Sequence, residues 1–153
     1  MQHANVGEWE KFDASNYRVG IVVSKFNQAI TSGLLNSAQD TLAEYKIKDS
    51  NTVVAEVAGS VEMPILLQAM AEQNKYDCLV ALGAIIRGDT AHFEYVAKFV
   101  TEGILRVQLD YKIPIAFGVL TCETQAQAES RINLGGGYAE AALHSARTIK
   151  SLS

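Results

Sequence analysis

Two hydrophobic periodicities alternate along this chain from about residue 17 to its end. Short apolar runs, rich in β-branched residues, alternate with segments whose apolar residues recur every three or four positions. The third run is apolar almost throughout, which is typical of a strand that is covered on both faces. This alternation predicts an α/β fold in which a parallel sheet carries helices on both faces. The strands are expected at Val19–Val23, Thr52–Val57, Cys78–Ile86 and Ile113–Leu120.

The segments between and after these runs predict five helices. Thr31 and Ser32 are both available to cap the first helix. Three consecutive glycines, Gly135–Gly137, precede the last helix, and we interpret them as a break because glycine disfavours a helix interior. We therefore expect a three-layer αβα sandwich with a four-stranded parallel sheet in flavodoxin-like order. The helices are expected at about Leu34–Tyr45, Pro64–Asn74, Thr90–Tyr111, Thr124–Arg131 and Tyr138–Ser151.

Length and composition limit both the number of domains and the classes of partner. The chain has 153 residues, of which 48% are hydrophobic, so we expect one domain with an ordinary core. We assign residues 17–153 to this domain and residues 1–16 to an N-terminal arm. In the arm, Trp9 and Phe12 predict packing against another surface, such as a neighbouring subunit. The net charge of −4, without a basic stripe, argues against a nucleic-acid partner.

No segment predicts export or a membrane span. The opening segment lacks the apolar core of a secretory signal, and no apolar run approaches the roughly 20 residues that span a bilayer. We therefore expect a soluble, cytoplasmic protein without a membrane partner. Cys78 and Cys122 lie in or at the end of apolar runs and outside any C-x-x-C pattern, so we expect two reduced, buried thiols.

The predicted topology brings four polar segments to one edge of the sheet. In an open parallel sheet, ligands bind beyond the carboxyl ends of the strands. The segments that follow the four predicted strands are Ser24–Asn27, Gly59–Glu62, Ile86–His92 and Leu120–Cys122. We expect a ligand-binding crevice where these segments meet.

Four side chains in or near these segments have a functional and a structural interpretation. Phe26 would stack on a flat ligand or fill the core, and Glu62 would bind a ligand or favour a helix N-terminus. His92 lies in the first turn of a predicted helix whose free N–H groups suit a phosphate, so it is a proton-transfer candidate or a solvated histidine. Arg131 would bind a phosphate or remain solvated at a helix end.

Other common kinds of site are not predicted. The sequence contains neither a phosphate-loop motif nor a dinucleotide-binding motif. His3 and His144 have no evident partners in the pattern, and we expect both to be bystanders. Three scattered histidines without clustered cysteines or aspartates predict no metal site.

Four ordered motifs resemble one enzyme family, the 6,7-dimethyl-8-ribityllumazine synthases. The resemblance runs in order from residue 18 to about residue 131 and continues more loosely through the last helix. It implies a transferase of riboflavin biosynthesis that needs no cofactor or metal. The implied reaction condenses a 5-amino-6-ribitylamino-pyrimidinedione with 3,4-dihydroxy-2-butanone 4-phosphate and releases phosphate and water. The motifs are SKFNQAIT at Ser24–Thr31, AGSVEMP at Ala58–Pro64, LGAIIRGDTAHFEYV at Leu82–Val96 and PIAFGVLTCETQAQAESR at Pro114–Arg131.

The resemblance also implies roles for individual residues. His92 would transfer protons. The pyrimidine and its ribityl chain would be bound by residues that follow the first two strands, by the backbone at the end of the third strand and by one aromatic residue of an adjoining subunit. These residues are Phe26, Asn27, Gly59, Ser60, Val61, Glu62, Ile85, Ile86 and Phe117. The phosphate would be bound at a helix N-terminus and by one arginine of the neighbouring subunit: Gly88, Asp89, Thr90 and Arg131.

One segment departs from the family pattern. The segment at residues 132–139 is shorter than the corresponding segment of the family and lacks the lysine of its glycine-asparagine-lysine-glycine stretch. Arg131 is therefore the basic residue assigned to the phosphate. The resemblance implies small-molecule substrates and a homopentamer with active sites between subunits, and it leaves a 60-subunit shell open. Two alternatives remain open: a flavodoxin-like module that binds a flavin without catalysis, and a shell-forming relative whose site has decayed.

Overall fold

The computed structural model describes residue 5 and residues 7–153. Its four strands form one parallel sheet in the order β2-β1-β3-β4. This arrangement confirms the predicted α/β fold and its flavodoxin-like strand order. The strands are β1 (Val19–Ser24), β2 (Thr52–Val57), β3 (Cys78–Ile86) and β4 (Ile115–Cys122).

Helices cover both faces of the sheet. Because successive side chains of a strand point to opposite faces, β1 sends Val19, Ile21 and Val23 into one core cluster and Val22 into the other. The first cluster lies under α1 (Gln28–Glu44), α4 (Gln125–Glu129) and α5 (Leu134–Ser151). The second lies under α2 (Met63–Glu72) and α3 (His92–Tyr111).

The first helix begins earlier than the sequence predicts. The sequence predicts Thr31 or Ser32 as its cap, but α1 already starts at Gln28, and Thr31 is buried inside it. Asn27 precedes the helix in the left-handed conformation, with φ 59° and ψ 47°. Asparagine adopts this conformation more readily than most residues, and it turns the chain sharply from β1 into α1.

The prediction of a break at Gly135–Gly137 is wrong, because α5 starts at Leu134 and includes all three glycines. Two of them are buried where α5 crosses α1. A Cβ atom at Gly135 would overlap the carbonyl oxygen of Leu34, and one at Gly136 would overlap Oγ1 of Thr41. Glycine is therefore required at this crossing by the close approach of two helices, and the cost of placing it in a helix is offset by packing.

The arm packs on its own chain, at least from Trp9 onward. The Trp9 indole stacks on the ring of His144 with the centroids 4.2 Å apart, and Phe12 packs edge-on against Tyr45 and His144. The Tyr45 hydroxyl donates to Glu140 at 2.6 Å and lies 2.9 Å from Nε2 of His144. A hydroxyl carries one proton, so Nε2 of His144 donates to the Tyr45 oxygen. His144 thus has structural partners that the sequence did not reveal.

Cys78 and Cys122 are free and buried, as predicted, and burial raises the pKa of Cys78 to about 12. His3 lies outside the described residues. In the part of the chain that the structure describes, no helix combines the length and apolar character needed to cross a membrane.

Replacement of Gly135 by alanine tests the crossing of α1 and α5. We expect Gly135→Ala to lower the free energy of unfolding by about 1–3 kcal/mol, because its methyl group must displace the backbone of Leu34. Gly137→Ala is the matched control, since a Cβ there meets nothing within 4 Å in the described residues. That variant should gain roughly 0.5–1 kcal/mol from helix propensity. Urea unfolding at one fixed protein concentration measures the stability of both variants. Equal stability of Gly135→Ala and Gly137→Ala would contradict this explanation of Gly135.

Candidate active site

The candidate site opens where β1 stops and β3 continues. The register between β1 and β3 ends at the pair Val23–Leu82, whereas β3 remains paired with β4 as far as Ile86. The helix after β1 packs on one face of the sheet and the helix after β3 packs on the other. Such a reversal leaves a crevice at the carboxyl ends of two adjacent strands. A pocket of about 380 Å³ lies there, a size typical of small-molecule sites.

The first wall of the pocket is the turn between β1 and α1. The backbone N–H of Phe26 donates to the carbonyl of Ala58 at 2.9 Å, which ties this turn to the end of β2. The side-chain amide of Asn27 donates to the carbonyl of Ala84 at 3.0 Å, which ties it to β3. Phe26 is 70% exposed, so the core interpretation of Phe26 is wrong. An exposed ring at a pocket mouth presents a face on which a flat ligand can stack.

The second wall is a short turn of 3-10 helix, Ser60–Glu62, between β2 and α2. The Glu62 carboxylate accepts a hydrogen bond from the backbone N–H of Gly59 at 3.0 Å, so it both caps this turn and borders the pocket. Ser60 is 6% exposed, and its hydroxyl faces β3 at Gly83. A Cβ at Gly83 would lie 2.7 Å from Oγ of Ser60, so the glycine makes room for the hydroxyl. This wall offers a hydroxyl, a carboxylate and backbone groups, which suits a polyol.

The third wall is the end of β3 and the segment that leads into α3. Ile85 and Ile86 line the pocket, followed by Gly88, Thr90 and His92. The Thr90 hydroxyl accepts a hydrogen bond from the backbone N–H of His92 at 3.3 Å. The N–H groups in the first turn of a helix have no partner within the helix, and the helix dipole adds partial positive charge. This end of the 20-residue α3 therefore suits an anion, with an exposed imidazole beside it.

Most of the residues predicted from the sequence lie together in this pocket. Three additional apolar residues line it that sequence reasoning did not single out: Ala84, Phe93 and Val96. Phe93 and Val96 were visible in the sequence only as apolar positions of a helix. The predicted residues that line the pocket are Phe26, Asn27, Gly59, Ser60, Val61, Glu62, Ile85, Ile86, Gly88, Thr90 and His92.

Three predicted residues do not line the pocket of their own chain: Asp89, Phe117 and Arg131. Asp89 lies in the segment between β3 and α3 and is exposed. Phe117 pairs with Ala81, four residues before Ile85, which is about 13 Å along a strand. The Arg131 guanidinium donates to the carbonyl of Gln127 at 2.7 Å, so it lies along its own short helix. In the described part of the chain, no group of three or more histidine, cysteine or acidic residues is arranged to hold a metal.

Comparisons with known proteins agree on one family. A family model described as 6,7-dimethyl-8-ribityllumazine synthase matches residues 16–150. A protein of Polaromonas sp. strain JS666, named 6,7-dimethyl-8-ribityllumazine synthase, is 41% identical over 153 residues. The alignment covers 99% of this chain and 99% of that protein.

The turn at Asn27 can be tested through its two separate contributions. Asn27→Ala loses the hydrogen bond to Ala84 and also places a Cβ-bearing residue without a local polar group in the left-handed region. We expect a loss of about 2 kcal/mol in the free energy of unfolding, and a smaller loss for Asn27→Gly, which keeps the backbone conformation without strain.

Lys112 is the matched control for this pair. It has φ 49°, and its side chain makes no hydrogen bond within the described residues. Lys112→Gly should therefore be neutral or stabilising by up to about 1 kcal/mol. Urea unfolding of the parent and of the three variants measures these changes in stability. An Asn27→Ala variant as stable as the parent would refute the two contributions assigned to Asn27.

Proposed function

This chain belongs to the 6,7-dimethyl-8-ribityllumazine synthase family, and we propose that the pocket between β1, β2 and β3 is where it carries out the family reaction. The enzyme condenses 5-amino-6-ribitylamino-pyrimidinedione with 3,4-dihydroxy-2-butanone 4-phosphate to 6,7-dimethyl-8-ribityllumazine, releasing phosphate and water. One observation carries the assignment to this pocket. An exposed aromatic ring, a polar turn and a helix N-terminus with an adjacent imidazole lie around a single cavity.

The pyrimidine is proposed to bind between Phe26 and the end of β3. The Phe26 ring would stack on the heterocycle, because offset stacking of aromatic faces is favourable and the ring is free of core contacts. Successive residues of β3 direct their backbone groups alternately toward β4 and toward β1, and Arg87 donates to Cys122 at the end of β4. Ile86 therefore turns its backbone groups to the side where β1 has ended, available to the polar edge of the heterocycle, and Ile85 would contribute as part of the pocket lining. Asn27 would support this half of the pocket indirectly, through its bond to Ala84.

The ribityl chain is proposed to lie along the turn at residues 59–62. Each hydroxyl of the chain needs a partner when it leaves water, since an unpaired polar group in a site is costly. The Glu62 carboxylate can accept hydrogen bonds from hydroxyls at the positions that its bond to Gly59 leaves free. Ser60 and the backbone of Val61 and Gly59 supply the remaining polar groups of this wall.

The phosphate is proposed to bind at the N-terminus of α3, at Gly88, Asp89 and Thr90. The N–H groups and dipole of the helix favour an anion there, and the Thr90 hydroxyl can donate to it. Arg131 would complete this site from a neighbouring subunit, as Phe117 would complete the pyrimidine site. The positions of both side chains outside their own chain's pocket support this arrangement.

His92 is proposed to transfer protons. Imine formation requires the amine and the carbonyl to be held together, which positioning by the two half-sites provides. Loss of phosphate then requires removal of a proton beside the imine, together with donors for the leaving group. The exposed imidazole in the first turn of α3 lines the same pocket as Phe26 and Thr90, so we propose that it acts on both the ring half and the phosphate half of the site.

Assembly and location are part of the same proposal. Membership of the family implies an oligomer, and we propose a homopentamer whose active sites lie between subunits. We propose that contacts around residues 132–139 help to decide whether pentamers associate further into a 60-subunit shell. We propose that the protein acts in the cytoplasm on its small-molecule substrates, with residues 17–153 as one catalytic domain and residues 1–16 as an arm.

Replacement of His92 tests the proposed proton transfer. His92→Ala should lower kcat by roughly 10²–10⁴-fold, because the fold and the anion site remain while the proton carrier is lost. His92→Asn, which retains a hydrogen-bonding group but cannot exchange protons near neutral pH, should be impaired to a similar extent. Lys98→Ala, on an exposed position of the same helix, is the control. Lumazine fluorescence and phosphate release measure turnover, and a His92→Ala enzyme with the parent's kcat would exclude His92 from the mechanism.

A further inference from the structure

An arginine that does not line the pocket connects three elements around it. Arg87 follows β3 directly, and its backbone N–H donates to the carbonyl of Cys122 at 2.9 Å, at the end of β4. Nε of its side chain donates to Glu123 at 2.6 Å. Nη1 donates to Glu94, which lies in the first turn of α3. Arg87 therefore bonds to the end of β4 and to the start of α3.

The guanidinium of Arg87 also packs against an aromatic ring. It lies over the ring of Phe93 at 4.4 Å from the centroid, and Phe93 lines the pocket. Arginine suits such a place, because its planar fork forms directed hydrogen bonds and its face packs on an aromatic ring at the same time. Only 34% of the Arg87 side chain is exposed.

The charge of Arg87 is already neutralised by protein. Glu123 and Glu94 together raise the pKa of the guanidinium, and Arg87 lowers the pKa of Glu94. Two carboxylates around one guanidinium leave a local charge of about −1. An anionic substrate gains nothing from such a group, which argues against Arg87 as a direct phosphate ligand.

The ion pair between Arg87 and Glu94 spans a segment that has little other structural support. The residues between Arg87 and His92 belong to neither β3 nor α3. Gly88 is exposed, and a Cβ built there would meet nothing within 4 Å in the described residues. The segment is therefore held mainly at its two ends, at Arg87 on one side and at the first turn of α3 on the other. The bond from Arg87 to Glu94 joins these two ends directly.

We propose that Arg87, with Glu94 and Glu123, is a positioning residue that fixes the first turn of α3 against the sheet and thereby aligns His92 and Thr90. This inference rests on the proposed function of the pocket. The group, here named the Arg87 clamp, acts only on the half of the site that carries the imidazole and the anion position. The half that carries Phe26, Ser60 and Glu62 is held by bonds to β2 and β3 that do not involve it.

This separation predicts a particular kinetic signature for Arg87→Met. We expect kcat to fall about 10- to 100-fold, because displacements of the order of 1 Å have effects of this size. The KM for the butanone phosphate should rise, since the proposed phosphate position at Gly88–Thr90 lies in the segment that the clamp holds. The KM for the pyrimidine should stay within about twofold, and urea stability should change little, since partly exposed ion pairs contribute little to it.

Three further single variants and one double variant separate the clamp from a general effect of charge. Glu94→Gln and Glu123→Gln each remove one bond and should show weaker forms of the same signature. Arg87→Lys keeps the charge but not the fork, so it should recover only part of kcat. Because the residues act as one unit, Arg87→Met/Glu94→Gln should be no worse than Arg87→Met alone. Arg106→Met is the matched control, as it breaks a single exposed ion pair to Asp110 on the same helix.

The positioning role of the Arg87 clamp is tested by steady-state kinetics with each substrate varied in turn, together with urea unfolding. The proposal is overturned if Arg87→Met behaves like Arg106→Met. It is equally overturned if both KM values and the stability change together, which would indicate a general structural role. Failure of the proposed function is distinguishable, because His92→Ala would then also leave kcat unchanged. If Arg87→Met does not fold, the two glutamine variants provide the same comparison.

Discussion

The site depends on a difference in length between two neighbouring strands. Pairing between β1 and β3 stops at Val23 and Leu82, while β3 continues to Ile86 along β4. The last residues of β3 therefore expose backbone toward a space that β1 has left, and three connecting segments surround it. Burial of β3 on both faces holds this edge rigid, because its apolar side chains belong to two separate cores.

Much of this arrangement was predictable from the sequence. Alternating periodicities predict the parallel sheet, and the rule for ligand sites in such sheets predicts that Phe26, Glu62 and His92 lie near one another. The helix boundary that the sequence predicts wrongly at Gly135 depends on contacts between distant residues. Gly135 is tolerated in α5 only because Leu34 approaches it, and a local pattern does not contain that contact. The Arg87 clamp escaped prediction for the same reason, since Glu123 is 36 residues away.

The structure also divides the site residues into two groups with different requirements. Phe26, Ser60 and His92 are brought into one pocket by the fold of a single chain. Phe117 and Arg131 lie elsewhere on that chain, one on β4 and one at the end of a short helix. If both act in catalysis, a second subunit must supply them. On this proposal the enzyme is defined by its assembly as much as by its fold, and its anion site would be complete only between two copies.

Mixed oligomers of two variants, each expected to be impaired at one residue of the site, test this claim most directly. One chain carries His92→Ala, the other carries Arg131→Ala, and the two are co-expressed with different tags and purified through both. A site between subunits regains a natural His92 and a natural Arg131 whenever the Arg131→Ala chain supplies the pocket and its neighbour supplies the arginine. Random mixing restores about one quarter of the sites, so turnover should rise to about a quarter of the parent's value. A mixture no more active than the average of the two separate variants would contradict the account.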